Sequence, residues 1–160
     1  MDTKFFIVMG VSGCGKTTVG TALADRLGWD FYDADDFHPP ENVAKMASGI
    51  PLNDDDRYPW LVALHDLISD SLADRKSGVL ACSALQESYR EILLDDNDNV
   101  QIVYLKGSFD LILSRMQARS GHYMKPEMLQ SQFNALEEPR DAMVVPISLG
   151  VDEIVDIILR

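Results

Sequence analysis

The segment that most constrains the fold of this chain is the glycine-rich stretch GVSGCGKT at residues 10–17. It follows FFIVM at residues 5–9, an apolar run that is typical of a buried strand. It leads into TTVGTALADRLG, whose composition and spacing favour a helix. This context and the spacing G-x-x-x-x-G-K-S/T predict a phosphate-binding loop between a first strand and a first helix.

Each part of this loop serves a polyphosphate in a different way. The glycines let the backbone curl until several N–H groups converge, and the following helix adds the positive end of its dipole. Lys16 brings a mobile positive charge to the β- and γ-phosphates, and the Thr17 hydroxyl is a ligand for Mg²⁺. We therefore predict binding of ATP with Mg²⁺, and the predicted nucleotide site comprises Gly10, Val11, Ser12, Gly13, Cys14, Gly15, Lys16, Thr17 and Thr18. The same N–H groups and Lys16 should favour the thiolate form of Cys14.

Composition limits the partners and the location. The 160 residues fit one domain, so we treat 1–160 as a single unit. There are 26 acidic and 14 basic residues, and the resulting net charge of −12 argues against a nucleic-acid partner. No apolar run approaches the roughly 18 to 20 residues of a membrane span, and the apolar start is too short for a signal peptide. We therefore expect a cytoplasmic protein without a membrane partner. Its two cysteines, Cys14 and Cys82, should be reduced thiols.

Strand-like and helical segments alternate along the chain. The apolar runs that predict strands lie at residues 4–9, 29–33, 78–82, 100–105 and 143–148. The helical patterns lie at residues 16–27, 40–48, 59–73, 85–94, 108–119, 126–137 and 151–160. This alternation predicts a three-layer α/β fold, with a five-stranded parallel sheet flanked by helices on both faces. Ligands of such sheets bind beyond the carboxyl ends of the strands, where the candidate site residues are therefore sought.

The segment DADDFHPPEN after the second strand is the richest of these strand ends. Asp33, Asp35 and Asp36 lie close together there, just before His38. Adjacent carboxylates raise one another's pKa unless a cation intervenes, so the cluster indicates a Mg²⁺ ligand or a base near a hydroxyl. We assign Asp33 to the metal, Asp35 to catalysis and substrate binding, and His38 to substrate binding. A helix cap is the alternative role for one of the aspartates.

Two arginines are candidates for contact with an anionic substrate. Arg57 follows the acidic tip DDD at residues 54–56, and its planar fork suits a carboxylate. A salt bridge to its aspartate neighbours is the alternative. Arg90 lies in the helical stretch after the third strand, where it can face the site or cover its flank.

A basic segment near residue 120 is typical of a mobile lid. Arg115 and Arg119 are four residues apart and thus share one helix face, and SGHYMKP follows them with His122 and Lys125. Phosphoryl transfer needs cations to neutralise the moving group and a cover that excludes water. We predict a lid at about residues 119–128, with Arg119 catalytic, Arg115 on the nucleotide and His122 on the substrate. The alternative is a solvated basic helix end.

Taken with these motifs, the chain resembles the gluconate kinases, relatives of the shikimate and nucleoside monophosphate kinases. The resemblance covers most of the chain and rests on five quoted segments: GVSGCGKT, DADDFHPPENVAKMASGIPLNDDDRYPWL, ACSALQESYRE, RSGHYM and LQSQFNALEEP. It implies transfer of the γ-phosphoryl group of ATP to the 6-hydroxyl of D-gluconate. It also implies that Asp33 and Asp35 lie at the metal and the acceptor hydroxyl, Arg57 near the carboxylate and Arg119 with the lid.

The motifs are also compatible with other functions. Another small-metabolite kinase of the same fold, for shikimate or a nucleoside monophosphate, is the main alternative, and a non-catalytic nucleotide sensor is the second. A regulatory GTPase is disfavoured because no N-K-x-D sequence is present. The sequence leaves the oligomeric state open, with a homodimer as one option.

Overall fold

The computed structural model describes residues 3–118 and 126–160. Its five strands are β1 (Phe5–Met9), β2 (Asp30–Asp33), β3 (Gly78–Ala81), β4 (Val100–Lys106) and β5 (Met143–Pro146). Its helices are α1 (Lys16–Leu27), α2 (Pro40–Ala47), α3 (Asp54–Ala73), α4 (Glu87–Leu94), α5 (Phe109–Ala118), α6 (Pro126–Ala135) and α7 (Val151–Ile158). A short 3₁₀ turn, Ala34–Phe37, joins β2 to α2.

The strands form one parallel sheet in the order β2-β3-β1-β4-β5. The central strand β1 is in register with both neighbours, so that Ile7 lies opposite Leu80 on one side and Ile102 on the other. The chain leaves β1 toward one half of the sheet and reaches the other half through β4. The loop after β1 therefore lies where the strand order reverses, which is the usual position of a ligand crevice in such sheets.

Both faces of the sheet are covered, as the apolar run in β1 predicts. Alternate side chains of a strand point to opposite faces, and all five residues of β1 are buried. Phe6 and Val8 belong to one hydrophobic cluster, which receives buried side chains from α1, α5, α6 and α7. Phe5, Ile7 and Met9 belong to a second cluster with α3 and α4. The predicted three-layer fold is confirmed.

The start of α3 differs from the prediction. The helix begins at residue 54, five residues before the predicted start at 59. The Asn53 side chain accepts a hydrogen bond from the Asp56 N–H at 2.8 Å, and the Asp56 carboxylate accepts one from the Asn53 N–H at 3.1 Å. This capping box, with acidic residues at the positive end of the helix dipole, starts the helix early. Pro59 then lies in the second turn, although its missing N–H makes it resemble a first helical residue.

No helix within the described ranges is long and apolar enough to cross a membrane.

Candidate active site

The loop after β1 has the curled backbone that a phosphate cradle requires. Gly15 precedes α1 with φ 95°, and Gly13 has φ 81°, which are left-handed conformations that residues with a Cβ rarely adopt. A Cβ on Gly13 would also lie 2.7 Å from the Met116 side chain of α5. Both positions therefore favour glycine, and Gly13 and Gly15 line the cavity described below.

The cradle is positively charged. Lys16 donates hydrogen bonds from Nζ to the carbonyls of Gly10 and Val11, both at 3.1 Å. The first turn of α1 contains no acidic residue, so no nearby carboxylate on the helix neutralises its positive end. Exposed Thr17 and Thr18 complete this wall.

A cavity of about 750 Å³ lies against the cradle, at the carboxyl ends of the strands. The predicted site residues on its wall are Ser12, Gly13, Gly15, Lys16, Thr17, Thr18, Asp33, Asp35, His38 and Arg57. A volume of this size suits a small-molecule site. The structure thus joins the phosphate loop and the acidic segment after β2 in one space.

Cys14 does not have the environment predicted for it. The residue is 2% exposed, and burial raises the pKa of its thiol, while the charge of Lys16 acts in the opposite direction. Val11 is also buried, and neither residue is on the cavity wall. The expected thiolate is therefore wrong, because the Cys14 side chain points into the core while its backbone belongs to the loop.

Asp33 and Asp35 lie together at the end of β2. One carboxylate oxygen of Asp33 accepts the Asp35 N–H at 3.0 Å, so Asp33 caps the 3₁₀ turn. The partly desolvated position of the Asp35 carboxyl raises its pKa, as does the charge of Asp33, while His38 and Lys16 lower it. Asp35 therefore holds a proton more readily than an ordinary aspartate, and a general base needs this property.

Arg57 combines both of the environments considered for it. It lies on the cavity wall, and its Nη1 is 3.6 Å from the Asp54 carboxylate. The same Nη1 donates to the Tyr89 hydroxyl at 3.2 Å, and that hydroxyl donates to Asp54 at 2.8 Å. Tyr89 also lies on the cavity wall, and its ring centroid is 5.7 Å from the guanidinium carbon. The guanidinium is thus held in place by α4 while remaining at the cavity.

Arg90 has a different role from the one predicted. It is 5% exposed, and it donates hydrogen bonds to the carbonyls of Ala84 at 2.7 Å and Glu137 at 2.8 Å. In the described part of the chain it is not among the cavity residues. Arg90 therefore connects the segments after β3 and α6, because buried carbonyls need donors and guanidinium supplies several.

The predicted lid lies largely outside the described residues. Arg119 and His122 are not among the described residues, so their roles at the site remain predictions. Residues 126–128 belong to α6, so the predicted lid boundary at 128 extends into a helix. Arg115 is exposed on α5 and, within the ranges the structure covers, is not on the cavity wall.

Sequence reasoning missed the contribution of α6. The Gln132 side chain accepts a hydrogen bond from the Ser12 N–H at 2.6 Å and donates one to the Ser12 hydroxyl at 2.8 Å. This contact joins residues 120 positions apart, and the surrounding sequence LQSQF gives only a helical pattern. The one available signal was that LQSQF belongs to the segments shared with the gluconate kinases.

Comparison with known proteins agrees with this geometry. The family model for shikimate kinase matches residues 12–148. A probable gluconokinase of Mus musculus is 51% identical, over 83% of this chain and 82% of its own. The thermoresistant gluconokinase of Escherichia coli is 45% identical, over 96% of this chain and 90% of its own.

A solved structure gives the same result. The crystal structure of a gluconokinase from Sinorhizobium meliloti superposes with a TM-score of 0.86 at 42% identity, covering 96% of this chain and 88% of that one. The sequence identities, the shared fold and the phosphate loop beside an acidic strand end together show that the chain belongs to the gluconokinases of the shikimate kinase family.

Proposed function

We propose that the protein is a gluconokinase, which transfers the γ-phosphoryl group of ATP to the 6-hydroxyl of D-gluconate and releases 6-phospho-D-gluconate and ADP. The observation that carries this proposal is that the phosphate loop and the side chains of Asp35, His38 and Arg57 line the same cavity. Phosphoryl transfer requires donor and acceptor to meet in one space from which water can be excluded.

The nucleotide end is assigned to the loop and the start of α1. The backbone N–H groups of residues 13–17 bind the phosphates, and Lys16 neutralises charge on the β- and γ-phosphates. The Lys16 ammonium lies 3.1 Å from two loop carbonyls, which keep it at the loop where the phosphates are proposed to bind. Arg115 and Arg119 are proposed for the nucleotide and the transferring group from the sequence pattern alone.

The oxygen ligands at this end fit Mg²⁺. The described residues contain no group of three or more carboxylate, thiol or imidazole side chains arranged to hold a metal ion. Mg²⁺ commonly binds through substrate phosphates with only one or two protein oxygens. The Thr17 hydroxyl and the Asp33 carboxylate, both on the cavity wall, would be those ligands. When bound, the ion would neutralise charge that develops on the phosphate oxygens.

The acceptor end supplies the base and the anion-binding group. Asp35 accepts the proton of the 6-hydroxyl as the oxygen forms its bond to the γ-phosphorus and the bond to the β-phosphate oxygen breaks. Its raised pKa makes it a better proton acceptor than an ordinary aspartate. Arg57 binds the carboxylate of gluconate, with its orientation maintained by Tyr89 and Asp54.

The free, buried thiols of Cys14 and Cys82 support the reducing cytoplasm as the location.

A coupled assay of ADP formation over D-gluconate, other sugar acids, shikimate and nucleoside monophosphates tests the proposal. Turnover should depend on D-gluconate, and Lys16→Ala should lower kcat/KM by about 10²-fold or more, the scale of a lost transition-state cation. The matched control is Lys76→Ala, which removes an exposed lysine beyond the end of α3 and should retain normal turnover. Turnover with another acceptor and none with gluconate would overturn the proposal.

A further inference from the structure

The inference concerns Asn42, a polar side chain in α2 that is only 2% exposed. Its Nδ2 lies 2.8 Å from the backbone carbonyl oxygen of Asp56 and 3.2 Å from Nδ1 of His38. A buried amide must satisfy its hydrogen-bonding groups with the neighbours it has, so these two contacts determine the orientation of the amide and the protonation of His38 Nδ1. One neighbour, His38, lies on the wall of the cavity.

The orientation of the Asn42 amide follows from its neighbour Asp56. A backbone carbonyl can only accept a hydrogen bond, so the atom 2.8 Å from it must be the amino group of Asn42. The reversed amide would place two oxygens at that distance. The amide orientation is therefore determined by chemistry and not by an arbitrary assignment of the two atoms.

The same amino group determines the tautomer of His38. Its second hydrogen is available to His38 Nδ1, so this nitrogen must accept and cannot carry a proton. In the neutral ring the proton is then on Nε2. Adding a second proton would place an N–H of the ring against an N–H of Asn42, so this contact also disfavours the charged form.

The surroundings of His38 support a neutral ring. Its ring stacks on Trp60 of α3, with 4.2 Å between centroids and 14° between planes. Burial lowers the pKa of His38, and Arg57 acts in the same direction, while Asp35 opposes them. Neutral His38 should therefore predominate near pH 7.

The protonated nitrogen, Nε2, is left for a ligand. Within residues 3–118 and 126–160, His38 Nε2 has no hydrogen-bond partner, and no buried side-chain nitrogen or oxygen there lacks one. Nε2 is therefore open to the cavity that His38 lines with Asp35 and Arg57. We propose that Asn42 is a positioning residue that holds neutral His38 as the Nε2–H tautomer, so that His38 donates a hydrogen bond to an oxygen of the acceptor sugar acid. The identity of the acceptor rests on the proposed function.

This proposal separates two roles at the acceptor end of the cavity. Asp35 accepts a proton, whereas His38 only donates a hydrogen bond and does not remove one. A polyhydroxy acid presents many oxygens that can accept such a bond.

Nitrogen-15 NMR of the full-length protein tests the tautomer without any substrate. The chain has three histidines, so the His38 signals can be assigned by their loss in His38→Gln. We expect an unprotonated Nδ1 and a protonated Nε2 in the wild type, and a shift toward protonated Nδ1 in Asn42→Asp, where an acceptor replaces the donor. His65, whose neighbours are Asp66 and Asp95, is the internal control and should be unchanged. A protonated Nδ1 or an even mixture in the wild type would overturn the proposal.

Kinetics of two His38 variants test the donor role, and they do not require Asn42→Asp to fold. Glutamine places an N–H donor near the position of Nε2, whereas methionine has a similar length and no donor. The gluconate KM should be about tenfold higher in His38→Met than in His38→Gln, the effect of one neutral hydrogen bond, with similar ATP KM values in both. Equal gluconate KM values in the two variants would contradict donation. An absence of gluconate turnover in the wild type would reject the proposed function instead, and the NMR result would still decide the tautomer.

Discussion

At the scale of single residues, the cavity depends on side chains whose orientation is set by neighbours. Arg57 has a guanidinium that contacts both the Tyr89 hydroxyl and the Asp54 carboxylate. The sequence offered substrate binding and a salt bridge as alternatives for this arginine. The structure shows that the ion pair is compatible with a position on the cavity wall, because each contact uses only part of the guanidinium.

Arg57→Lys should raise the gluconate KM far more than the ATP KM. Lysine keeps the positive charge but cannot form two parallel N–H···O bonds with a carboxylate. Steady-state kinetics with each substrate varied in turn would measure the two constants. Tyr89→Phe removes the hydroxyl but keeps the ring, so it should produce a smaller change in the same direction. If both KM values rose equally, Arg57 would be a structural partner of Asp54 and not a substrate ligand.

The two cysteines should react slowly with thiol reagents in the native protein. Burial raises the pKa of Cys14 and raises that of Cys82 to about 12, and only the thiolate is reactive. Colorimetric thiol titration should show two rapidly reacting thiols in denaturant and much slower reaction in buffer. Cys14→Ser and Cys82→Ser should each remove one thiol from the denatured count. If one thiol of the native protein reacted rapidly and this reaction disappeared in Cys14→Ser, Cys14 would be a thiolate in the folded protein, as the sequence predicted.

At the scale of elements, α6 is connected directly to the phosphate loop. The Gln132 side chain accepts a hydrogen bond from the Ser12 N–H and donates one to the Ser12 hydroxyl, so it holds both the backbone and the side chain of Ser12 against the helix. Pro126, the first residue of α6, lies within the predicted lid at residues 119–128. The contact therefore joins α6, whose first three residues fall within the predicted lid, to the nucleotide site.

Gln132→Ala should raise the ATP KM several-fold more than the gluconate KM. The reason is that the loop loses two hydrogen bonds, each worth about 1 kcal/mol, that fix the position of its N–H groups. The matched control is Gln130→Ala on the same helix, because the Gln130 side chain bonds Asn134 on the exposed surface. Kinetics of both variants, with melting curves to verify folding, would measure the effect. An equal effect of the two variants would assign it to α6 stability and not to the loop.

At the scale of the whole molecule, His65 connects distant parts of the chain and links stability to pH. Its Nε2 lies 2.8 Å from the Asp95 carbonyl, in the turn between α4 and β4, and its Nδ1 lies 3.1 Å from the Asp66 carboxylate. The hydrogen bond to Asp66 raises the pKa of His65, and the Asp95 carbonyl and both aspartate charges act in the same direction. Because the pKa is higher in the folded state, the charged ring stabilises the fold below the unfolded pKa of about 6.5, and this contribution is lost as pH rises through the folded pKa.

The free energy of unfolding should therefore differ more between wild type and His65→Gln at about pH 5.5 than at about pH 8.5. Urea denaturation at the two pH values would measure this difference, and the contribution of other titrating groups cancels in the comparison. Asp66→Asn removes the largest cause of the raised pKa and should reduce the pH dependence. A larger difference at the higher pH would show that His65 stabilises the fold in its neutral form.

The sequence by itself determined the fold class and the nucleotide end of the site. The order strand, glycine-rich turn and helix is local, so the residues that form the phosphate loop are also the residues that identify it. The apolar runs of the strands likewise predict burial on both faces, because a parallel sheet covered by helices leaves no face for polar residues. The predicted start of α3 at residue 59 was wrong, because the capping box of Asn53 and Asp56 begins the helix at Asp54. The assignments of Arg119 and His122, and the homodimer, remain predictions.

Only the tertiary structure decided the roles that depend on contacts between distant segments. Cys14 and Arg90 looked like site residues in the sequence, yet packing placed the first in the core and bonded the second to buried carbonyls. Gln132 and Asn42 had no distinguishing pattern, and their roles arise from partners on other elements. A periodic pattern shows which face of a helix is buried. It does not show which polar atom of another element will contact a given side chain on that face. That choice is made by packing, because a buried donor or acceptor must find a partner wherever the fold places one.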